Sequence, residues 1–169
     1  MKIELVPAEL SDREVIVNLW PLYVYDMSEY TGWGPSPEGL YDTEPPPLGP
    51  YWRREDHDPN LILCDGELAG FALLRRYPED LSLYDIGQFF VLRKFKRQRV
   101  GREAFKLSVS KTPGQWLTRV LLDNSGALKF WKRVIGEITD ETYAVTQEMD
   151  GDVQMHFIRY EIREVGIRD

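Results

Sequence analysis

The sequence predicts an α/β fold: one sheet with helices on its faces, mixing antiparallel hairpins with strand–helix–strand crossovers. Three observations carry this. The turn pairs Asp65-Gly66 and Asp150-Gly151 each sit between strand-like runs, the signature of a hairpin. Apolar residues at helical spacing recur after Ser11, after Arg99 and after Asn124. Read along the chain, the segments follow the order β, α, loop, ββ, β, α, β, α, ββ.

Ile3 and Leu5 alternate with polar neighbours and make a short opening strand that ends at Pro7. Ser11 and Glu14 have the spacing of a capping box. The helix they open carries Val15, Ile16, Leu19, Leu22 and Tyr23 as one apolar face, and Pro21 within it predicts a kink or a split. From Gly32 to Pro50, proline and glycine are too dense for a continuous helix or a central strand. Trp33, Tyr41, Tyr51 and Trp52 in or beside that loop are costly to leave in water, so it should pack on the body as a pocket wall.

The hairpin Leu61–Cys64 and Leu68–Leu74 follows, then a strand over Ser82–Val91 and a helix over Val100–Ser110. Trp116–Leu122 reads as a buried strand. Asn124 or Ser125 can cap a helix that turns Ala127, Phe130, Trp131 and Val134 inward. Tyr143–Met149 and Val153–Ile162 form the closing hairpin.

Composition narrows the function. With 43% apolar and 12% aromatic residues in 169, the chain can bury a core and form a single domain over residues 1–169. Its 21 basic and 28 acidic residues give a net charge of -7, which disfavours a dedicated nucleic-acid binder. Cys64 alone excludes an intrachain disulfide, and with His57 and His156 as the two histidines no metal is expected. No apolar run reaches the ~20 residues of a membrane span, and no signal peptide opens the chain, so the expected setting is the reducing cytoplasm.

The segment with chemistry in it runs from Gln88 to Arg102. An apolar strand enters a basic loop that opens directly into a helix, aiming unpaired N–H groups and the positive helix end at one point. Lys96, Arg97, Arg99 and Arg102 raise the potential there, and Gly101 permits close approach of backbone to ligand. A diphosphate fits; a solvated basic face and a nucleic-acid patch are the other readings of the same residues.

Three segments in one order add to this. Lys96-Arg97-Gln98-Arg99-Val100-Gly101 matches the pattern Gln/Arg-x-x-Gly-x-Gly/Ala, with Arg99 in place of its first glycine. Asn124 to Trp131 matches Asn-x-x-Ala-x-x-Phe-Tyr up to its last position, and Cys64 to Gly70 is the matching hairpin. In these segments the chain resembles the GNAT-type N-acetyltransferases over nearly its whole length. The resemblance implies a mixed, mostly antiparallel twisted sheet flanked by helices, with the fourth and fifth strands splayed, and acetyl-CoA as co-substrate. It implies that Phe89, Phe90 and Val91 offer main-chain hydrogen bonds to the pantetheine arm. Arg97, Gln98, Arg99, Val100, Gly101 and Arg102 would wrap the pyrophosphate. Asn124 would reach the pantetheine, leaving Ser125 as the helix cap. The final strands are where subunits of this family often pair, so a homodimer is in view.

The catalytic residues stay unassigned. Arg99 is harmless where its φ is negative and its side chain points outward. Trp131 occupies the usual acid position, and an indole N–H does not ionise usefully; Tyr84, Tyr143 and Tyr160 are substitutes that nothing selects. A glutamate usual on the fourth strand is missing from Ile86-Gly87-Gln88-Phe89. Asp85 is the nearest carboxylate, but strict alternation puts it on the other face, as a surface residue.

In this family the acceptor borders the segment with Tyr23, Asp26, Glu29, Tyr30, Trp33 and Tyr41, where carboxylates among aromatics suit a cationic amine. His57 reads as part of an exposed turn before Pro59, His156 as structural and Cys64 as packing. The expected activity is transfer of an acetyl group to a primary amine by direct attack. The alternative is a CoA-binding sensor or interaction module that has lost catalysis, and nucleic-acid binding through residues 93–102 comes third.

Overall fold

The computed structural model describes residues 1–41 and 47–164. Its strands are β1 (Ile3–Pro7), β2 (His57–Cys64), β3 (Glu67–Tyr77), β4 (Asp80–Val91), β5 (Gly114–Leu121), β6 (Tyr143–Asp150) and β7 (Val153–Ile162). The helices are α1 (Arg13–Thr31), α2 (Val100–Ser110) and α3 (Ser125–Thr139). The strands form one seven-stranded sheet in the order β1-β2-β3-β4-β5-β7-β6. Every neighbouring pair is antiparallel except β4 and β5, which run parallel. That is the mixed, mostly antiparallel sheet the sequence predicts.

Alternation along each strand sends side chains to two cores. On one face, Ala72, Leu74, Trp116, Val120 and Ile158 pack with Val100, Phe105, Trp131 and Val134 from α2 and α3. On the other, Phe71, Leu73 and Phe90 pack with Ile16, Leu19, Trp20 and Val24 from α1 and with Leu48 and Tyr51. A smaller cluster of Tyr77, Leu83, Leu117 and Phe157 lies further along the sheet.

Several local expectations need correction. The reciprocal cap at the first helix pairs Glu9 with Asp12, not Ser11 with Glu14: the Glu9 N–H donates to Asp12 Oδ2 at 2.9 Å and closes a 3-10 turn over Leu10–Asp12. Helix α1 runs unbroken through Pro21, whose ring sits on the exposed side, where the carbonyl it leaves free can meet water. Leu22 also faces outward, 49% exposed, and Trp20 takes the buried place instead. His57 belongs to a strand, not an exposed turn: β2 starts there, Pro59 pairs with Leu73, and the imidazole packs edge-on against Tyr51.

The proline-rich segment packs on the body only in part where it is described: Leu48 is buried at its end, while Trp33 and Leu40 are exposed. Trp52 donates its Nε1–H to the Ala8 carbonyl at 2.8 Å, Tyr51 is buried, and Tyr41 packs against Tyr25. Residues 42–46 of that loop lie outside the described residues.

Candidate active site

The parallel junction is the origin of the site. Strands β4 and β5 pair only at Tyr84–Trp116 and Asp85–Leu117. Beyond Asp85, β4 continues to Val91 along β3, and β5 continues to Leu121 along β7. The two strands therefore splay, as expected, and the main-chain groups between them have no ladder partner across the gap. A bulge at Gly87 helps part them. Leu73 pairs with Gln88 and Leu74 with Ile86, so Gly87 is the extra residue. Gly70 holds the other side tight, since a Cβ there would sit 1.9 Å from the Phe90 carbonyl oxygen.

A cleft of about 500 Å³ opens in the splay. Gln88 and Phe89 of β4 and Thr118 and Arg119 of β5 form its floor; Asn124, Ala127 and Trp131 of α3 close one end. Tyr23, Met27 and Tyr30 of α1, with Trp33 after it, face Asp150, Val153 and Met155 of the β6–β7 hairpin across the other.

The basic loop leaves β4 through a 3-10 turn over Arg93–Phe95 and enters α2 at Arg99. Arg97 and Arg99 both adopt left-handed backbone, φ 64° and 65°. The condition of a negative φ, under which Arg99 would be harmless, is not met: arginine holds the conformation that glycine adopts freely, at a cost of about 1 kcal/mol. No side chain caps the α2 N-terminus, so its first N–H groups stay open.

The basic side chains divide. Arg93 and Lys96 both pair with Asp26, Lys94 pairs with Glu67, and Arg102 reaches Glu103 and Glu137. Among the described residues no carboxylate pairs with Arg97 or Arg99, and both are exposed. Gln98 folds back to donate to the Lys94 carbonyl at 2.6 Å, bracing the loop. The Val100 side chain is buried in the core, so it offers its N–H alone. Gly101 makes room for a neighbour: a Cβ there would lie 3.3 Å from the Phe130 ring.

Helix α3 begins differently. Asn124 Oδ1 accepts the Ala127 N–H at 2.9 Å, so Asn124, not Ser125, is the cap. Its side-chain amine stays available at the cleft wall. Trp131 is buried edge-on against Phe89, Phe105 and Phe130, a packing position with no acid function.

Inside the splay, Tyr23 donates its hydroxyl to Gln88 Oε1 at 2.6 Å, and burial pushes the Tyr23 pKa up to about 12. A phenol so placed stays protonated through neutral pH. Of the tyrosines expected as substitute acids, none lines the cleft. Tyr160 is buried with its hydroxyl 2.9 Å from Thr118 and its pKa raised by burial, and Tyr84 lies under Arg76 and over Trp116.

Asp85 is no surface residue. The bulge at Gly87 shifts the alternation by one, so Asp85 shares a face with Gln88. Its side chain is 0% exposed and fully engaged: it accepts from Arg75 Nε at 3.2 Å and from Arg119 Nη2 at 2.8 Å and Nε at 3.3 Å. Arg119 also reaches Asp150, whose other oxygen accepts the Tyr77 hydroxyl at 3.2 Å. A carboxylate under two guanidinium groups, with no path to the cleft, is poorly placed to take a proton from an amine.

Of the residues expected to border the acceptor, some line this cleft and others do not. Tyr23, Tyr30 and Trp33 line the cleft, whereas Asp26 braces the basic loop, Glu29 is exposed and Tyr41 packs on Tyr25. The carboxylate that does line it, Asp150, was hidden in the sequence as a turn residue of the closing hairpin. Only the pairing of β7 between β5 and β6 brings it to Arg119.

The comparisons with known proteins agree with this geometry. Residues 21–136 match the model of the acetyltransferase (GNAT) family. The fold is similar to an acetyltransferase from Thermus thermophilus, with a TM-score of 0.66 at 13% identity, covering 96% of this chain and 98% of that one. It is also similar to the ribosomal-protein-S18-alanine N-acetyltransferase from Escherichia coli (TM-score 0.58, 13% identity, 99% and 98% covered). A GNAT-family acetyltransferase from Streptococcus pneumoniae gives a TM-score of 0.62 at 10% identity, with 96% and 100% covered. No curated protein matches the sequence significantly. With most of its length matched by the family model and its sheet splayed at the parallel pair, the chain belongs to the GNAT acetyltransferase family, whose members take acetyl-CoA as co-substrate.

Proposed function

We propose that the protein transfers the acetyl group of acetyl-CoA to a primary amine by direct attack within a ternary complex. The observation that carries this is the splay of β4 from β5 beside an uncapped α2 N-terminus, with two arginines that no carboxylate pairs with among the described residues. The fit to acetyl-CoA rests on main chain and charge. The β4 edge over Phe89, Phe90 and Val91 would hold the pantetheine arm as a neighbouring strand would. The N–H groups from Arg97 to Arg102 would receive the pyrophosphate, with the Arg97 and Arg99 guanidinium groups beside it. The Asn124 amide would donate to the arm while its oxygen caps α3.

In the reaction the bound ammonium first loses one proton to solvent; the neutral nitrogen then forms a C–N bond as the thioester C–S bond breaks, and the second proton it sheds balances the one the sulfur takes up. No side chain in the cleft acts as a nucleophile toward the thioester: Cys64 is buried in the α2–α3 core, away from it. Catalysis then rests on positioning, with Gln88 and Tyr23 as the hydrogen-bonding groups at the splay. A thiol pKa of about 8.5 makes the departing sulfur a fair leaving group without a dedicated acid. Tyr23 and Tyr30 both line the cleft; Tyr23, its pKa pushed up to about 12 and its hydroxyl donating to Gln88, orients groups at the splay, and solvent returns the proton to the sulfur.

We read residues 1–169 as one acetyltransferase-like domain acting in the cytoplasm. None of the helices is long and apolar enough to cross a membrane among the described residues. The free edge of β6, with Val145 and Met149 exposed, would be the pairing surface of a homodimer.

Calorimetric titration of acetyl-CoA tests the reading. Wild type should bind at micromolar affinity, and Arg97→Glu with Arg99→Glu should weaken binding by more than about tenfold at an unchanged melting temperature. Absence of binding to the wild type would overturn it. The sensor alternative predicts the same binding but no thiol release with any amine.

A further inference from the structure

We infer that the acceptor is a small primary amine carrying a flat, apolar body, held with its ammonium at Asp150 and its body between Trp33 and Met155; this rests on the acetyltransferase reading above. The cleft has two ends with different chemistry. The end at α3 is closed by Asn124, Ala127 and Trp131. The other is walled by Met27, Tyr30 and Trp33 on one side and Val153 and Met155 on the other. Trp33 is 50% exposed and Val153 49% exposed, so large apolar surface stands in water at the cleft mouth. A ligand with a ring would cover it.

Charge selects the other half of the molecule. Gln88 brings no charge to the floor, and Asp85 is buried beneath Arg75 and Arg119. Asp150 is the one carboxylate among the described residues that line the cleft, and its side chain is 25% exposed. Asp150 accepts from Arg119 at one oxygen and from the Tyr77 hydroxyl at the other; each carboxylate oxygen has a second lone pair, and with the side chain 25% exposed those remain for a ligand cation. Tyr30 and Trp33, which also line this end, add aromatic surface of the kind that attracts a cation. An acceptor with its own carboxylate would meet Asp150 with like charge, while Arg119 is already engaged by two carboxylates. A peptide N-terminus would bring a chain of polar amides to walls of Met27, Trp33, Val153 and Met155 that offer them no partner.

Thiol release at saturating acetyl-CoA provides the test, with 2-phenylethylamine, ethanolamine and an unstructured peptide with a free N-terminal alanine as probes. The ring-bearing amine should show a kcat/KM about tenfold or more above ethanolamine, the effect of burying a phenyl group, and should also exceed the peptide. Asp150→Asn should raise KM for 2-phenylethylamine by about tenfold while leaving acetyl-CoA affinity unchanged. Trp33→Ala, at an exposed position with little bearing on folding, should shrink the preference for 2-phenylethylamine over ethanolamine. Equal rates with the two amines, a preference for the peptide, or an Asp150→Asn enzyme of unchanged KM would overturn the inference. Acetyl-CoA binding without turnover of any probe would overturn it too, leaving the cofactor site standing. Failure to bind acetyl-CoA would instead overturn the acetyltransferase reading beneath it.

Discussion

Helices α2 and α3 both start next to the splayed strands, and they treat their first N–H groups in opposite ways. At α3, Asn124 turns its oxygen inward, to accept the helix's own Ala127 N–H. At α2 no side chain does so, and the chain enters through Arg99 in left-handed backbone, two residues after Arg97 does the same. The closed start is ordinary helix chemistry. The open start spends conformational energy to leave donors free, and strain of that kind persists where surrounding structure holds it for a function. The arginine charges follow the same division, since Arg102 is tied toward α3 through Glu137 and the two strained arginines have no carboxylate partner among the described residues.

Three variants break or sharpen this contrast. The largest stability effect is expected at the closed start, where Asn124→Ala should cost about 1 kcal/mol and lower the melting temperature by roughly 2–4 °C. Because the Asn124 amide is also proposed to reach the pantetheine arm, acetyl-CoA affinity should fall with it; an unchanged affinity would leave Asn124 as a cap alone and sharpen the contrast. At the open start, Arg99→Gly should stabilise the fold by about 0.5 kcal/mol by relieving the left-handed strain, while weakening acetyl-CoA binding. A variant that melts higher and binds less would separate strain from function in one measurement.

The smallest effect concerns the link between the helices. Arg102 holds the Glu137 carboxyl below its ordinary pKa. A carboxylate lowered in the folded state adds stability above its unfolded pKa of about 4.5, lost as pH falls through the lowered value. The melting difference between wild type and Arg102→Ala should therefore be present at pH 7 and close at acid pH. A constant difference from pH 7 to pH 3 would mean that packing, not charge, joins α2 to α3.

What could be read in the sequence follows from the range of the forces involved. The strand and helix order and the basic loop were legible because hydrophobic period, turn residues and charge runs are local signals. Asp85 shows the limit. Its face depends on one extra residue at Gly87; a glycine inside a strand is a local hint of a bulge, but whether one forms is decided by the pairing with Leu73 and Leu74. Asn124 was legible as a cap or as a ligand residue, and only the Ala127 contact decides that it caps. Asp150 was legible as a turn but not as a cleft residue, because its partner Arg119 lies in another strand. Ser11 failed because Glu9 and Asp12 have the same three-residue spacing and engage first.

The parting of β4 from β5 has one consequence for how this chain can change over time. The groups exposed there belong to the peptide backbone, and every residue type except proline carries both of them. Side chains along the edge can be replaced without removing a single donor or acceptor from it. Inheritance of this cradle therefore depends on keeping a gap in a ladder, which most side-chain substitutions leave untouched.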